Sequence, residues 1–329
     1  MIKKICFVGQ VDSGKSTIAG RLFAECGGLS KHELEQIQKD MINKKTQLWS
    51  SILDIYSEER ERGKTNEFSI ISFKYNNIEY NIIDNPGHQI YIRSLIEGIS
   101  SFNANEIIGC IVISIRNGEF KTGWENGQTK EDIILTRAVG IRNIIVLINK
   151  MDTIDWSEEE FNKIKKHTIS FISSCKFDSV SYIPISGYNG IGLVQEYGMP
   201  YWYKDKCLMD TIEKIELKNN IVSKILLPSK WSYMICNIQI VELHKISLIA
   251  RGFKCILHYN GYEYNVTFED ISLINKPTVK FLKNKDIGKI YIKSEIPIIK
   301  RIDKNDTINV IFRYNENTIG FGRILEIIE

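Results

Sequence analysis

Residues Gly9 to Ser16 read Gly-Gln-Val-Asp-Ser-Gly-Lys-Ser, a complete Walker A sequence set directly after the apolar run Ile5-Cys6-Phe7-Val8 and before a helix-permissive stretch. A strand, a glycine-rich loop and a helix in that order commit the chain to an α/β domain with a phosphate-binding loop at the strand's carboxyl end. In such a loop the backbone N–H groups from Val11 to Thr17 turn inward onto phosphate, with Asp12, Ser13 and Gly14 forming the bend. Lys15 reaches the β and γ oxygens and the Ser16 hydroxyl ligates Mg²⁺.

Three further segments follow predicted strands and specify the nucleotide. The run 78–83 ends in Asp84-Asn85-Pro86-Gly87-His88, which places Asp84 to hold Mg²⁺ through water and the Gly87 N–H to sense a γ-phosphate. The run 144–148 leads into Asn149-Lys150-Met151-Asp152. The Asp152 carboxylate can accept from N1–H and the 2-amino group of guanine, and adenine offers neither donor there, so the wrong base leaves a buried carboxylate unpaired. Lys150 is expected to lay its stem along the purine face, with Asn149 tying this loop to the phosphate loop. The run 180–185 delivers Ser186-Gly187, whose N–H groups are expected at guanine O6. Four elements in this order point to GTP and GDP with Mg²⁺.

With 43% hydrophobic residues in 329, the chain can bury a full core and form two domains. The net charge of +3 is too small to argue nucleic-acid binding from charge alone. Seven scattered cysteines without a Cys-x-x-Cys pair argue for reduced thiols in a cytoplasmic setting rather than a disulfide framework or zinc site. No charged leader or apolar span of membrane length is evident, so no membrane association is expected.

Strand-like runs at 2–8, 68–75, 78–84, 107–115, 143–149 and 180–185 alternate with helical patterns, predicting a mostly parallel sheet covered by helices over residues 1–217. Between the phosphate loop and Thr65 lies a stretch longer than a bare switch loop requires. Within it Ser30-Lys31-His32-Glu33 is a capping box, and Leu34, Ile37, Met41 and Leu48 follow at helical spacing. Asp54 to Thr65, with Glu58-Glu59-Arg60-Glu61-Arg62, reads as a switch segment. After a linker at 218–231, short alternating runs at 233–243, 252–259, 262–269, 278–282, 287–293, 308–314 and 319–327 predict one small β-barrel over 232–329. Asn260-Gly261 is a strong hairpin turn. The alternating lysines from Lys276 to Lys304 read as an exposed strand face.

The motifs and their order resemble the translational GTPases, in the branch holding elongation factor 1-alpha and the GTP-binding subunit of the eukaryotic release factor. Asp12 to Thr17, Glu58 to Thr65, Gly118 to Gly123, Gly127-Gln128-Thr129 with Glu131, and Leu147 to Asp152 with Trp156-Ser157 carry the resemblance. Lys64 before Thr65 is the release-factor-like choice, since elongation factors usually place an apolar residue there. His244-Lys245 and Ile319 to Ile324 are similar to the family's last barrel. Gln10 departs from the His or Ser often found in relatives. The family normally carries two barrels; the resemblance implies that the first is missing here, along with the N-terminal extension of cellular release-factor GTPases.

The resemblance implies a Mg²⁺-dependent GTP hydrolase in which Thr65 joins Ser16 in the metal shell and His88 orients the attacking water. Loss of the γ-phosphate would release the switch, and Val11 would stand on one side of an apolar gate facing Lys64. The implied partners are a release-factor-like or rescue-factor-like protein on the C-terminal barrel and the ribosome. A monomer is expected. An aminoacyl-tRNA carrier is disfavoured by the lost barrel and by Lys64. The alternative is a GTP-dependent module that sequesters a translation factor with little hydrolysis.

Overall fold

The computed structural model describes residues 2–40, 48–53, 69–84, 106–116, 118–125, 128–217, 226–240, 248–259, 262–274, 279–301, 309–315 and 317–328. Two compact units are present, the change along the chain falling near residue 218.

The first unit is built on a six-stranded sheet of β1 (Ile2–Val8), β2 (Ser69–Tyr75), β3 (Ile78–Asp84), β4 (Ile107–Ser114), β5 (Asn143–Asn149) and β6 (Ser179–Pro184) in the order β2-β3-β1-β4-β5-β6. Five strands are parallel and only β2 runs antiparallel, beside β3. The central strands are continuous apolar runs because both of their faces are covered: β4 is buried along its whole length and β5 at all but Asn143. Asn76 and Asn77, with φ of 47° and 62°, close the β2–β3 hairpin, a conformation asparagine tolerates better than most residues.

Helices α1 (Lys15–Phe23), α2 (Lys31–Asp40), α3 (Glu119–Glu125), α4 (Gln128–Ala138), α5 (Glu158–Ser174) and α6 (Leu208–Lys214) accompany this sheet. The α1 residues Ile18, Ala19 and Leu22 pack into one core with Ile5, Phe7, Val112 and Leu147 of the strands. The predicted capping box is formed: Ser30 N–H donates to Glu33 Oε2 at 2.7 Å, and Glu33 N–H donates to Ser30 Oγ at 3.2 Å. That helix is described to Asp40 and residues 48–53 are again helical, so Met41 of the expected periodic set lies outside the described residues. At α5, Ser157 Oγ accepts from the Glu160 N–H, satisfying one of the amide groups a helix start leaves open. Lys3 is buried, and its ammonium donates to Ile212 O, Glu213 O and Ile215 O at 2.8–2.9 Å, tying β1 to the end of α6.

The second unit is a closed antiparallel barrel. Strands β7 (Leu226–Ile240), β9 (Lys254–Tyr259), β10 (Tyr262–Leu273), β12 (Ile287–Arg301), β13 (Asn309–Tyr314) and β14 (Asn317–Ile328) close in the order β10-β12-β7-β14-β13-β9, with β8 (Ile249–Ala250) and β11 (Phe281–Leu282) paired apart from them. Its interior includes Phe268, Phe312, Ile290, Ile238 and Leu257. Lysines 289 and 293 alternate with the buried Ile290 and Ile292 and sit on the outer face, the strand-face reading of the lysine-rich segment.

Several boundaries differ from the sequence reading for identifiable reasons. β7 begins at Leu226, inside the expected linker, and β12 runs on past residue 293 to Arg301. Each added length contains a proline, Pro228 or Pro297, and the β7–β12 register shifts between Lys293 and Ile298 and again between Ile298 and Lys300. Irregular pairing accommodates residues that cannot donate to the ladder. The expected strand 252–259 begins only at Lys254, because Gly252 at φ 83° turns the chain after β8. Tyr259 pairs with Tyr262 and so brackets the Asn260-Gly261 turn, which lies outside the described residues, as do His244 and Lys245. No helix among the described residues is long and apolar enough to cross a membrane. All seven cysteines are buried thiols.

Candidate functional site

The carboxyl ends of β1, β3, β4, β5 and β6 emerge along one edge of the parallel sheet, where open α/β sheets bind ligands. Between β1 and α1 the loop keeps the conformation that its glycines require. Gly9 has φ 146° and Gly14 φ 99°, and a Cβ on either would run into a neighbour: the Val112 carbonyl oxygen at Gly9, the Asn149 amide nitrogen at Gly14. Asp12, with φ 62°, also takes the left-handed conformation. Ile18 N–H donates to Gly14 O, so the helix starts as the loop ends. Lys15 is buried, and its Nζ donates to Gly9 O and Gln10 O, both at 2.7 Å. The Ser13 hydroxyl is buried without a hydrogen-bond partner among the described residues. Val11, Ser16 and Thr17 line an open groove of about 680 Å³ with Asp12, Gly14 and Lys15.

Asn149 is the hub of the neighbouring loops. Its Nδ2 donates to Ser13 O at 2.8 Å and its Oδ1 accepts from the Gly187 N–H at 2.9 Å, so one buried amide joins three motif segments. This is the tie expected of Asn149, extended to a third loop. Asp152 follows in a short 3₁₀ turn, Met151–Ile154, and remains partly exposed. The loop is fixed by Met151 N–H to Ile185 O at 3.1 Å. The Ser186 and Gly187 N–H groups, expected at guanine O6, are used differently: Ser186 N–H donates to Ile191 O and Gly187 N–H to Asn149 Oδ1. A loop needs its buried donors paired, and here those two donors hold the loop's own shape.

Thr65, Gly87 and His88 lie outside the described residues, and of Asp84 only its place in β3 is described. The register Cys6↔Ile83 sets Asp84 level with the end of β1, beside the phosphate loop. The donor set fits a phosphate–magnesium group: a buried unpaired hydroxyl at Ser13, a lysine at the loop's centre, and Ser16 facing the open groove. Hydroxyl and carboxylate oxygens suit a hard cation such as Mg²⁺.

The structure adds residues that the motif reading did not assign to the site. Ser50, Arg116 and Glu119 line the same groove. Lys150, at φ 68°, sends its Nζ to Asp12 O at 2.7 Å and to Glu119 Oε2 at 2.6 Å. Burial alone would raise the Glu119 carboxyl, but hydrogen bonds from Lys150 and Ser114 outweigh it and hold it below its ordinary range. The signal was available, since β4 is also a central parallel strand and its carboxyl end must open onto the ligand edge. Behind the loop, Asp132 on α4 has its Oδ2 buried without a partner among the described residues. Burial pushes its carboxyl up to about 7, with Lys15 opposing the rise.

Comparison with known proteins places this geometry. The family model described as the elongation factor Tu GTP binding domain matches residues 1–225. Elongation factor 1-alpha of Absidia glauca is 34% identical over 302 residues, covering 86% of this chain and 65% of that protein. The Saccharomyces cerevisiae elongation factor 1-alpha is 32% identical over 260 residues, covering 74% of this chain and 56% of that protein. The chain therefore spans between about half and two thirds of the length of these relatives. Among solved structures, the S. cerevisiae Ski7 GTPase-like domain bound to GDP and inorganic phosphate has a TM-score of 0.75 at 14% identity, covering 98% of this chain and 97% of that one, a likeness of fold. With the phosphate loop, the Asn149–Asp152 loop and the Ser186–Gly187 loop on one sheet edge, and a family model spanning most of its length, the chain belongs to the translational GTPases.

Proposed function

We propose that the protein binds GTP and GDP with Mg²⁺ and hydrolyses the β–γ phosphoanhydride as a conformational switch in translation termination or ribosome rescue. The observation that carries this reading is Asn149, which joins the phosphate loop to both base-side loops through two buried hydrogen bonds. In the proposed complex Lys15 exchanges the carbonyl oxygens of Gly9 and Gln10 for phosphate oxygens, and Ser13 gains a partner. Asp152 reads the guanine edge. Ser16, Thr65 and, through water, Asp84 would hold Mg²⁺, which would supply charge neutralisation at the phosphates. Gly87 senses the γ-phosphate and His88 orients the attacking water; both roles come from the resemblance. The C-terminal barrel is assigned to docking a release-factor-like protein, with the ribosome as the stimulating partner and the cytoplasm as its place. The release-factor direction rests on Lys64 and on the motifs that carry the resemblance.

A second reading rests on the closed antiparallel barrel as a docking surface. It keeps the switch but makes the protein a GTP-dependent module that sequesters a translation factor. Single-turnover GTP hydrolysis with and without ribosomes separates the two, with His88→Ala as the chemical control. Ribosome stimulation of at least tenfold, abolished by His88→Ala, is expected. Nucleotide binding with no stimulation would refute the first reading in favour of the second.

A further inference from the structure

An acidic side chain on the wall of a groove meant for a polyphosphate needs a reason to be there. Glu119, the first residue of α3, is such a group. Its Oε2 accepts from Lys150 Nζ at 2.6 Å, its Oε1 lies 3.9 Å from Arg116 Nη1, and the same Lys150 ammonium donates to Asp12 O at 2.7 Å. The bridge thus joins the exit of β4, the exit of β5 and the phosphate loop. Two of its three residues are non-glycine residues at positive φ, 62° for Asp12 and 68° for Lys150. Such conformations persist only where surrounding contacts over-determine them.

We infer that Glu119 is a positioning residue for the nucleotide's base end, fixing the Lys150 stem as one wall of the purine slot and giving the groove its polarity. This rests on the nucleotide reading above. A lysine side chain loses substantial rotamer freedom when it is ordered, and an ammonium already held by Asp12 and Glu119 has spent that freedom before ligand arrives. Its charge is also neutralised. Lys150 therefore presents methylenes to an uncharged base, with its ammonium already engaged by Glu119 and Asp12 rather than offered to a phosphate. Phosphate is left to the loop around Lys15, whose ammonium rests on the carbonyl oxygens of Gly9 and Gln10. Because Glu119 keeps about a third of its surface in solvent (33%), screening limits the effect.

The test uses the full chain and stopped-flow dissociation of fluorescent GDP and GTP derivatives from wild type, Glu119→Ala, Glu119→Gln, Lys150→Ala and the Glu119→Ala/Lys150→Ala double variant. Glu119→Ala should speed release of GDP and GTP by the same factor, roughly 5-fold, the size of a partly screened charge-assisted bond. Glu119→Gln retains an acceptor and should recover part of the loss. In the Lys150→Ala background, Glu119→Ala should have no further effect, because the residue acts through Lys150. A merely structural role would lower thermal stability without this coupling or this equality between nucleotides. Additive effects, an effect confined to GTP, or unchanged release would overturn the inference while leaving guanine binding intact. Wild type failing to bind either nucleotide would instead overturn the reading beneath it.

Discussion

Asn149→Ala removes both hydrogen bonds of the hub residue and leaves Ser13 O and Gly187 N–H without their partners in a buried setting. Each orphaned group costs about 1–3 kcal/mol. The cavity left by the amide is polar and near the size of a water molecule, so partial rescue by water brings the expected total to roughly 2–4 kcal/mol. Four of the five tryptophans, at positions 49, 124, 156 and 202, precede the barrel, so urea unfolding followed by tryptophan fluorescence reports mainly on the unit that holds Asn149. The Asn149→Asp variant sharpens the test. Its carboxyl can still accept from Gly187 N–H, but it can donate to Ser13 O only when protonated, so the folded state raises its pKa above the ordinary carboxylate value. The sign follows: that bond contributes fully below about pH 4 and is lost as pH rises through the elevated folded value. Asn149→Asp should therefore approach wild-type stability in acid and fall toward Asn149→Ala at pH 7. An Asn149→Ala midpoint within 0.3 M urea of wild type, or an Asn149→Asp variant with a wild-type pH profile, would refute the hub argument.

Asp152→Asn should exchange guanine for xanthine preference, with GDP affinity falling roughly a hundredfold or more because the base donors lose their charged acceptor; competition between GDP and XDP measures it, and unchanged preference would remove Asp152 from the base site. Asp132, its carboxyl raised by burial to about 7 from 3.8, contributes stability that is full below about pH 4 and is lost as pH rises through about 7. Asp132→Asn should flatten the pH dependence of nucleotide-free stability across that window, and an unaltered slope in urea titrations would contradict the assignment. Lys3→Met should cost about 1–3 kcal/mol by uncapping the three carbonyl oxygens at the end of α6, read as a lower thermal midpoint. Gly20→Ala places a methyl against the Trp49 carbonyl oxygen and should displace the 48–53 segment, seen as a shift in Trp49 fluorescence; a wild-type spectrum and melting curve would count against the packing described there.

The phosphate loop and the sheet edge were legible because local chemistry and topology coincide there. A glycine is needed wherever a side chain would meet the Val112 carbonyl or the Asn149 amide, and an unbroken apolar run such as β5 can only be a strand covered on both faces. What the sequence concealed has a common physical character. Pro228 and Pro297 have no N–H to donate, yet the paired ladder absorbs both by shifting register. That accommodation belongs to the pair of strands and is invisible in either strand alone.

The same distinction explains which parts of the candidate site were missed. Asn149 was predicted to tie two loops and ties three, because the fold supplied the Gly187 N–H that spacing alone could not bring to it. Ser186 and Gly187 were expected to spend their donors on a ligand, but the turn that carries them first satisfies itself, through Ile191 O and Asn149 Oδ1. Glu119 stood in plain view among the resembling motifs with no role attached, since a carboxylate has meaning at a phosphate site only once the lysine it neutralises is known. Motifs specify which groups a ligand can meet. The fold decides which of those groups are already occupied, and two of them, Lys150 and Gly187, flank the slot proposed for the base.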